Sequence, residues 1–281
     1  MLGRMDLGRW FGIPVYIHWS FWLLPLWIIL AQPGGLPIGL VLAVVFAMFG
    51  CVVLHEFGHA LAARLFGIGT RDVTLYPIGG VASLERISEK ASEEFIIAIA
   101  GPLVNVVIAA LLALGLAAGM MLGAAVDSTL VAFVSALITL NIIMIVFNLI
   151  PAFPLDGGRI FRAALAGFLP RLQATRVAVA VGSALALALV GAGVLAALGV
   201  DLPFASPMLI VIGWFVYMAG QGELRQLEYR ARHGARAPAF IGPEAAAADA
   251  PPWAKPPVTI YVYDPQTGQW VRNDADRYTR V

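Results

Sequence analysis

His55 and His59 stand four residues apart with Glu56 beside the first, inside an otherwise uncharged apolar run. On an α-helix, residues at i and i+4 share a face about one turn apart. Both imidazoles can therefore bind one Zn²⁺ while the glutamate stands next to the metal as general base. Burying a carboxylate and two imidazoles next to Phe49, Cys51, Val52, Val53 and Leu54 costs several kcal/mol unless they are paired or hold a metal. That cost makes a functional site a better account of the pattern than chance.

Two histidines and a water leave a tetrahedral Zn²⁺ one protein ligand short. Acids are scarce in the apolar runs, and the best candidate borders one of them. It is Asp156, in Asn148-Leu149-Ile150-Pro151-Ala152-Phe153-Pro154-Leu155-Asp156-Gly157-Gly158. Pro151 and Pro154 interrupt the helix there, and the paired glycines permit a tight backbone approach. Irregular backbone at membrane depth is tolerated where it is buried in protein or lines a watery cavity. A plain N-cap role for Asp156, opening a helix over 157–168, is the competing explanation. With the histidine pair present, a split metal site accounts better for both. His55 lies nine residues before Arg64, ~14 Å along a helix, and Asp156 lies just before Arg159 and Arg162. The two halves of the site approach from the same side.

The elements that must carry these groups are membrane helices. The 281-residue chain is 60% hydrophobic and 12% charged, with a mean hydropathy of +0.85, far from the balance of a soluble protein. Six apolar runs reach or come near the ~20 residues of a spanning helix: 14–33, 38–62, 94–123, 128–150, 174–198 and 204–220. The expected fold is an all-α polytopic membrane protein with six transmembrane helices. In that layout all 18 Lys and Arg fall on one side, and 34–37, 124–127 and 199–203 contain none. By the positive-inside rule this side is the cytosol, with both termini of a multi-pass inner-membrane protein. Arg4 and Arg9 before the first run mimic a signal peptide, but no small-residue cleavage site follows, which favours a retained helix. A net charge of +1 suggests no nucleic-acid partner, and the single Cys51 leaves no internal disulfide.

Residues 1–221 read as the membrane core and 222–281 as a polar cytosolic tail. In the tail an Ala/Pro-rich linker covers 235–257. Beyond it, Val258 to Tyr263 and Gly268 to Val271 flank a turn as the strands of a β-hairpin would. Directly after the histidine helix, 67–93 breaks the helical pattern, and Thr74 to Ser83 read as two short strands around a Gly79-Gly80 turn. Such a hairpin could template an extended substrate by strand addition, with Gly79 and Gly80 among the contacting residues. His18, beside Tyr16 and Trp19, reads as an interfacial anchor rather than a ligand.

Together these motifs resemble the site-2 proteases, a family of intramembrane zinc metalloproteases. The likeness rests on His55 to His59, on the Asn-x-x-Pro and Leu-Asp-Gly-Gly between Asn148 and Gly158, and on Ala100-Gly101-Pro102-Leu103-Val104-Asn105. It covers about residues 8–220 and resembles the compact prokaryotic branch. The resemblance implies one Zn²⁺ per chain held by His55, His59 and Asp156, with Glu56 as catalytic base. It also implies a transmembrane protein substrate, cleaved within or near its membrane segment in the lipid bilayer. Many such relatives carry a C-terminal pair of nucleotide-binding CBS domains. Residues 222–281 are too few for that pair, so nucleotide regulation is not carried over. Asn148 and Asn105 either donate hydrogen bonds to the substrate backbone or developing oxyanion, or tie helices together. The sequence names neither a particular substrate nor a regulatory partner or oligomeric state. Two rival readings stand beside this one. A prenyl-protein endopeptidase takes a glutamate from a second helix as third ligand, and the interior of the runs offers none besides Glu56. A non-proteolytic metal-binding or transport protein needs polar residues along a pathway, and 174–220 carries few.

Overall fold

The computed structural model describes residues 3–31, 37–77, 79–86, 88–122, 127–203, 205–233, 261–264 and 269–272. Two compact units divide the chain, Met1–Ala235 and Arg236–Val281. The first runs β1 (Arg4–Trp10), β2 (Ile13–His18), a 3-10 turn (Trp19–Trp22), α1 (Leu23–Ala31), α2 (Ile38–Leu65), β3 (Thr70–Tyr76) and β4 (Gly79–Leu84). It continues with α3 (Ala91–Met121), α4 (Ser128–Asn148), α5 (Asp156–Ala166), α6 (Arg171–Ala197) and α7 (Met208–His233).

Among the described residues, α2, α3, α4 and α6 are long and apolar enough to cross a membrane. Their outward faces are as apolar as their inward ones: Leu111, Leu114 and Val146 are 64%, 66% and 63% exposed. Surfaces of that kind are stable against lipid and not against water. The chain is a membrane protein, mostly helical, with a small β-sheet.

The first and last of the six expected runs take a different form. Residues 13–18 are strand, because Ile13, Val15 and Ile17 alternate inward with Pro14, Tyr16 and His18, a period of two hidden in an apolar stretch. Helical structure begins only at Trp19, and Trp19–Ala31 is a shorter apolar segment. The all-α expectation therefore gives way to helices with a four-stranded sheet. The last helix continues unbroken to His233, since Glu223 to Glu228 are mostly strong helix formers.

The sheet has the order β1-β2-β3-β4. A two-residue turn at Phe11 and Gly12, with φ of 52° and 81°, joins the antiparallel β1 and β2. β2 lies parallel to β3, Val15 opposite Val73 and Ile17 opposite Leu75, so the connection must be a crossover. That crossover consists of α1 and α2. β3 and β4 are antiparallel, with Tyr76 opposite Gly79. Gly79 and Gly80 are the first two residues of β4 and pair with Tyr76 and Leu75, so they open the strand instead of forming the turn. The reason is a close approach: a Cβ on Gly80 would stand 2.8 Å from Glu56 Cγ and 3.0 Å from Val52 Cγ1. Ile13, Val15, Phe21, Val73 and Leu75 pack against Phe49, Val52, Val53 and Phe57 of α2. The sheet thereby rests on the turn of α2 that carries Glu56.

In the second unit β5 (Tyr261–Asp264) pairs antiparallel with β6 (Gln269–Arg272), Val262 opposite Val271. The 235–257 linker lies outside the described residues.

Candidate metal centre

His55 and His59 are 4% and 9% exposed on α2. Their Nε2 atoms lie 3.1 Å apart, and Asp156 Oδ2 lies 3.1 Å from the first and 3.2 Å from the second. A tetrahedral ion with bonds of ~2.0–2.1 Å separates its ligands by about 3.3 Å, so this triangle has the size of one face of such a site. Among the described residues, these three form the group that could hold a metal ion.

The far side of each ring determines what faces inward. His59 Nδ1 is 2.7 Å from the Ile97 carbonyl, which can only accept, so Nδ1 carries the hydrogen and Nε2 offers its lone pair. His55 Nδ1 lies 2.9 Å from Asn105 Oδ1, and the Asn105 amide nitrogen donates to Met144 Sδ at 3.3 Å, which orients the amide. Two lone pairs and a carboxylate oxygen therefore converge, a donor set that fits a cation. Gly101 completes the fit. A Cβ there would stand 2.7 Å from His55 Nε2 and closer still to His59 Nε2.

Local structure delivers Asp156 to the two rings. It is the first residue of α5, and the N-cap residue, Leu155, makes no side-chain capping bond. The plain N-cap explanation is not what the carboxylate does, since it turns to the imidazoles. Pro151 and Pro154 keep the preceding segment irregular. A Cβ on Gly158 would stand 2.7 Å from the Ala152 carbonyl carbon, so only glycine lets α5 start so close to that segment.

Glu56 is half-buried on the adjoining position of α2, and its Oε2 accepts a hydrogen bond from the Ala82 N–H of β4 at 3.0 Å. Asn105 is 0% exposed, and both ends of its amide are engaged inside the bundle. Of its two expected parts, these contacts are those of a tie between helices: it stands behind His55 and orients that ring. Asn148 is the last residue of α4 and half-buried, eight residues before Asp156. His18 lies apart from the cluster, where its Nδ1 accepts from the Ser20 N–H at 3.3 Å and caps the 3-10 turn. The Ile97 carbonyl and the Ala82 amide escaped the sequence reading because backbone groups leave no side-chain signature.

Residues 43–122 and 114–189 match the family model of peptidase family M50. A zinc metalloprotease of Methanocaldococcus jannaschii is 36% identical over 221 residues, which cover 77% of this chain and 59% of that protein. A relative from Synechocystis is 32% identical over 242 residues, covering 82% of this chain and 62% of its own length. The chain thus spans about three fifths of these curated relatives. The solved structure of a site-2 protease from Methanocaldococcus jannaschii matches with a TM-score of 0.53 at 33% identity, covering 79% of this chain and 95% of that one.

The substitution Gly101→Ala should leave the helical content of detergent-purified protein intact while metal analysis finds the ion largely lost. Full metal occupancy in that variant would mean the Cβ is accommodated and the donors meet elsewhere.

Proposed function

The chain belongs to peptidase family M50, and from that premise we propose that it is an intramembrane zinc metalloprotease, hydrolysing peptide bonds within or near membrane-spanning segments of other proteins. The convergence of His55, His59 and Asp156 beside Glu56, inside a helical membrane unit, carries the proposal. One Zn²⁺ per chain would be held by those three residues. Bound there, it supplies a Lewis acid for the scissile carbonyl and a water of pKa near ~7. Glu56 handles the proton. Its Oε2 is held by the Ala82 N–H, so Oε1 is the oxygen that takes a proton from the water and passes it to the leaving amine.

A substrate helix hides its peptide bonds and must be extended before attack. β4 is an edge strand of the sheet. The Ala82 N–H points away from β3 toward Glu56, and by the alternation of antiparallel pairs Gly80 also turns its backbone outward. An extended segment added to this edge would run alongside Glu56. Gly79 and Gly80 allow that edge to lie close to α2, and Asn148 at the end of α4 is the proposed side-chain donor to the substrate or its oxyanion.

Six crossings with both termini in the cytosol, in the inner membrane, agree with the one-sided Lys and Arg. The parallel pairing of β2 with β3 supports the same count. If α2 crosses once, the strands at either end of the α1–α2 connection can meet only if the first segment crosses as well. Arg64 donates to the Phe11 carbonyl at 2.8 Å, which ties the β1–β2 turn to the cytosolic end of α2. The sheet then descends to the level of Glu56. From there the Trp19–Ala31 segment, about 21 Å long, suffices to reach the other face.

Glu56→Gln should retain zinc and lower the turnover of a model transmembrane substrate by about 10²–10⁴-fold; turnover near the wild-type rate would move the base elsewhere. N-methylation of alternate amides around the scissile bond tests strand addition. Cleavage should fall for one parity of positions and survive for the other, and indifference to both would remove β4 from substrate binding. For topology, a Glu89→Cys protein in a Cys51→Ala background should react with an impermeant thiol reagent only after the cells are opened. Labelling of intact cells would overturn the cytosolic placement of this loop.

A further inference from the structure

Arg162 lies on α5 six residues after Asp156, ~9 Å along the helix axis. It is 2% exposed. Its Nε stands 2.9 Å from Glu94 Oε1 on α3, and its terminal nitrogens hydrogen-bond Glu94 and, on α7, Glu223. Arg171, the first residue of α6, approaches the other Glu94 oxygen at 3.4 Å and donates to the Ser88 carbonyl at 2.7 Å. The Arg162 guanidinium also lies over the Phe153 ring, 4.9 Å from its centroid. Phe153 belongs to the irregular segment that leads into Asp156. Burial works against the Glu223 carboxylate, yet the charge and hydrogen bond of Arg162 hold its carboxyl below the ordinary range.

Four charges, two of each sign, thus meet where α3, α5, α6 and α7 come together, Arg162 and Glu94 buried and Arg171 and Glu223 half-buried. Such clusters add little net stability over a well-packed apolar alternative. What a guanidinium fork does supply is register, because it matches a carboxylate only within a narrow geometry. That register reaches the metal centre through α3. Glu94 stands three residues before Ile97, whose carbonyl takes the His59 hydrogen, and on the same helix Asn105 takes that of His55. One helix therefore orients both imidazoles and, through Glu94 and Arg162, also holds the helix that bears Asp156.

We propose that Arg162 is a positioning residue of the metal centre, setting where Asp156 stands relative to His55 and His59. This inference rests on the zinc reading of that site. Arg162 is neither a ligand nor a substrate contact; it acts through the placement of α5.

The test measures zinc affinity of the full-length, detergent-purified wild type and of Arg162→Lys by chelator competition. Helical content and the d–d spectrum of the cobalt-loaded proteins are recorded alongside. Lysine keeps the charge and lacks the fork. The expected result is native helical content, a zinc dissociation constant raised about 10–100-fold, an altered cobalt band, and a lower kcat at unchanged KM. Wild-type zinc affinity and an unchanged cobalt spectrum in folded Arg162→Lys would overturn the proposal, whatever the activity does. Should that variant fail to fold, Glu94→Gln, which keeps the side-chain shape, is measured in the same way. Wild-type affinity there is equally fatal. A wild-type protein that binds no zinc would bring down the metalloprotease reading together with this one, so the two failures are distinguishable.

Discussion

Two imidazole lone pairs and a carboxylate oxygen facing one another at 3.1–3.2 Å repel in a low-dielectric interior unless a cation lies among them. The rest of the membrane unit is arranged around that constraint. α2 supplies two donors from one face, α3 holds the opposite nitrogen of each ring, and α5 brings the third donor at its first residue. The helices can come this close because the contact surface is stripped of side chains. Gly101 stands under the donors, and a Cβ on Gly58 would meet the Ala100 carbonyl oxygen at 2.7 Å.

Three consecutive residues of α2 divide the work, since a helix turns about 100° per residue. His55 points to the other donors and Glu56 to the edge of β4. Phe57 turns to the sheet side, where the Trp10 and Phe11 rings lie 6.3 Å and 5.7 Å from its own. A single turn of helix thus joins the metal donors and Glu56, the strand beside them and the hairpin that steadies both. Arg64, in the last turn of this helix, holds the hairpin turn through the Phe11 carbonyl.

Most of the metal centre was legible in the sequence because its side chains follow short-range rules. The i, i+4 spacing of His55 and His59 and the Pro and Gly punctuation around Asp156 are local signals. The four long helices were legible for the same reason, as unbroken apolar length. The strand at 13–18 was not, since Ile13, Val15 and Ile17 alternate within a run that is apolar at nearly every position. The buried joint was also out of reach. Arg162 meets Glu94 and Glu223 across 68 and 61 residues of chain, and each reads by itself as a solvated charge. Asn105 could be singled out by type but not by role, because only the fold decides which side of His55 it occupies.

The parallel pairing of β2 with β3 sets an order of events during synthesis. β3 emerges only after α1 and α2 have been made, so neither it nor β4 can be backed by β2 until that helical pair is in place. Asp156 emerges later again, behind two more long helices. The growing chain therefore passes through the insertion machinery with its histidines and glutamate present but with neither a third donor nor a finished edge strand. The donor triangle thus closes only when α5 arrives, after the helices that hold and orient its other two members have been made.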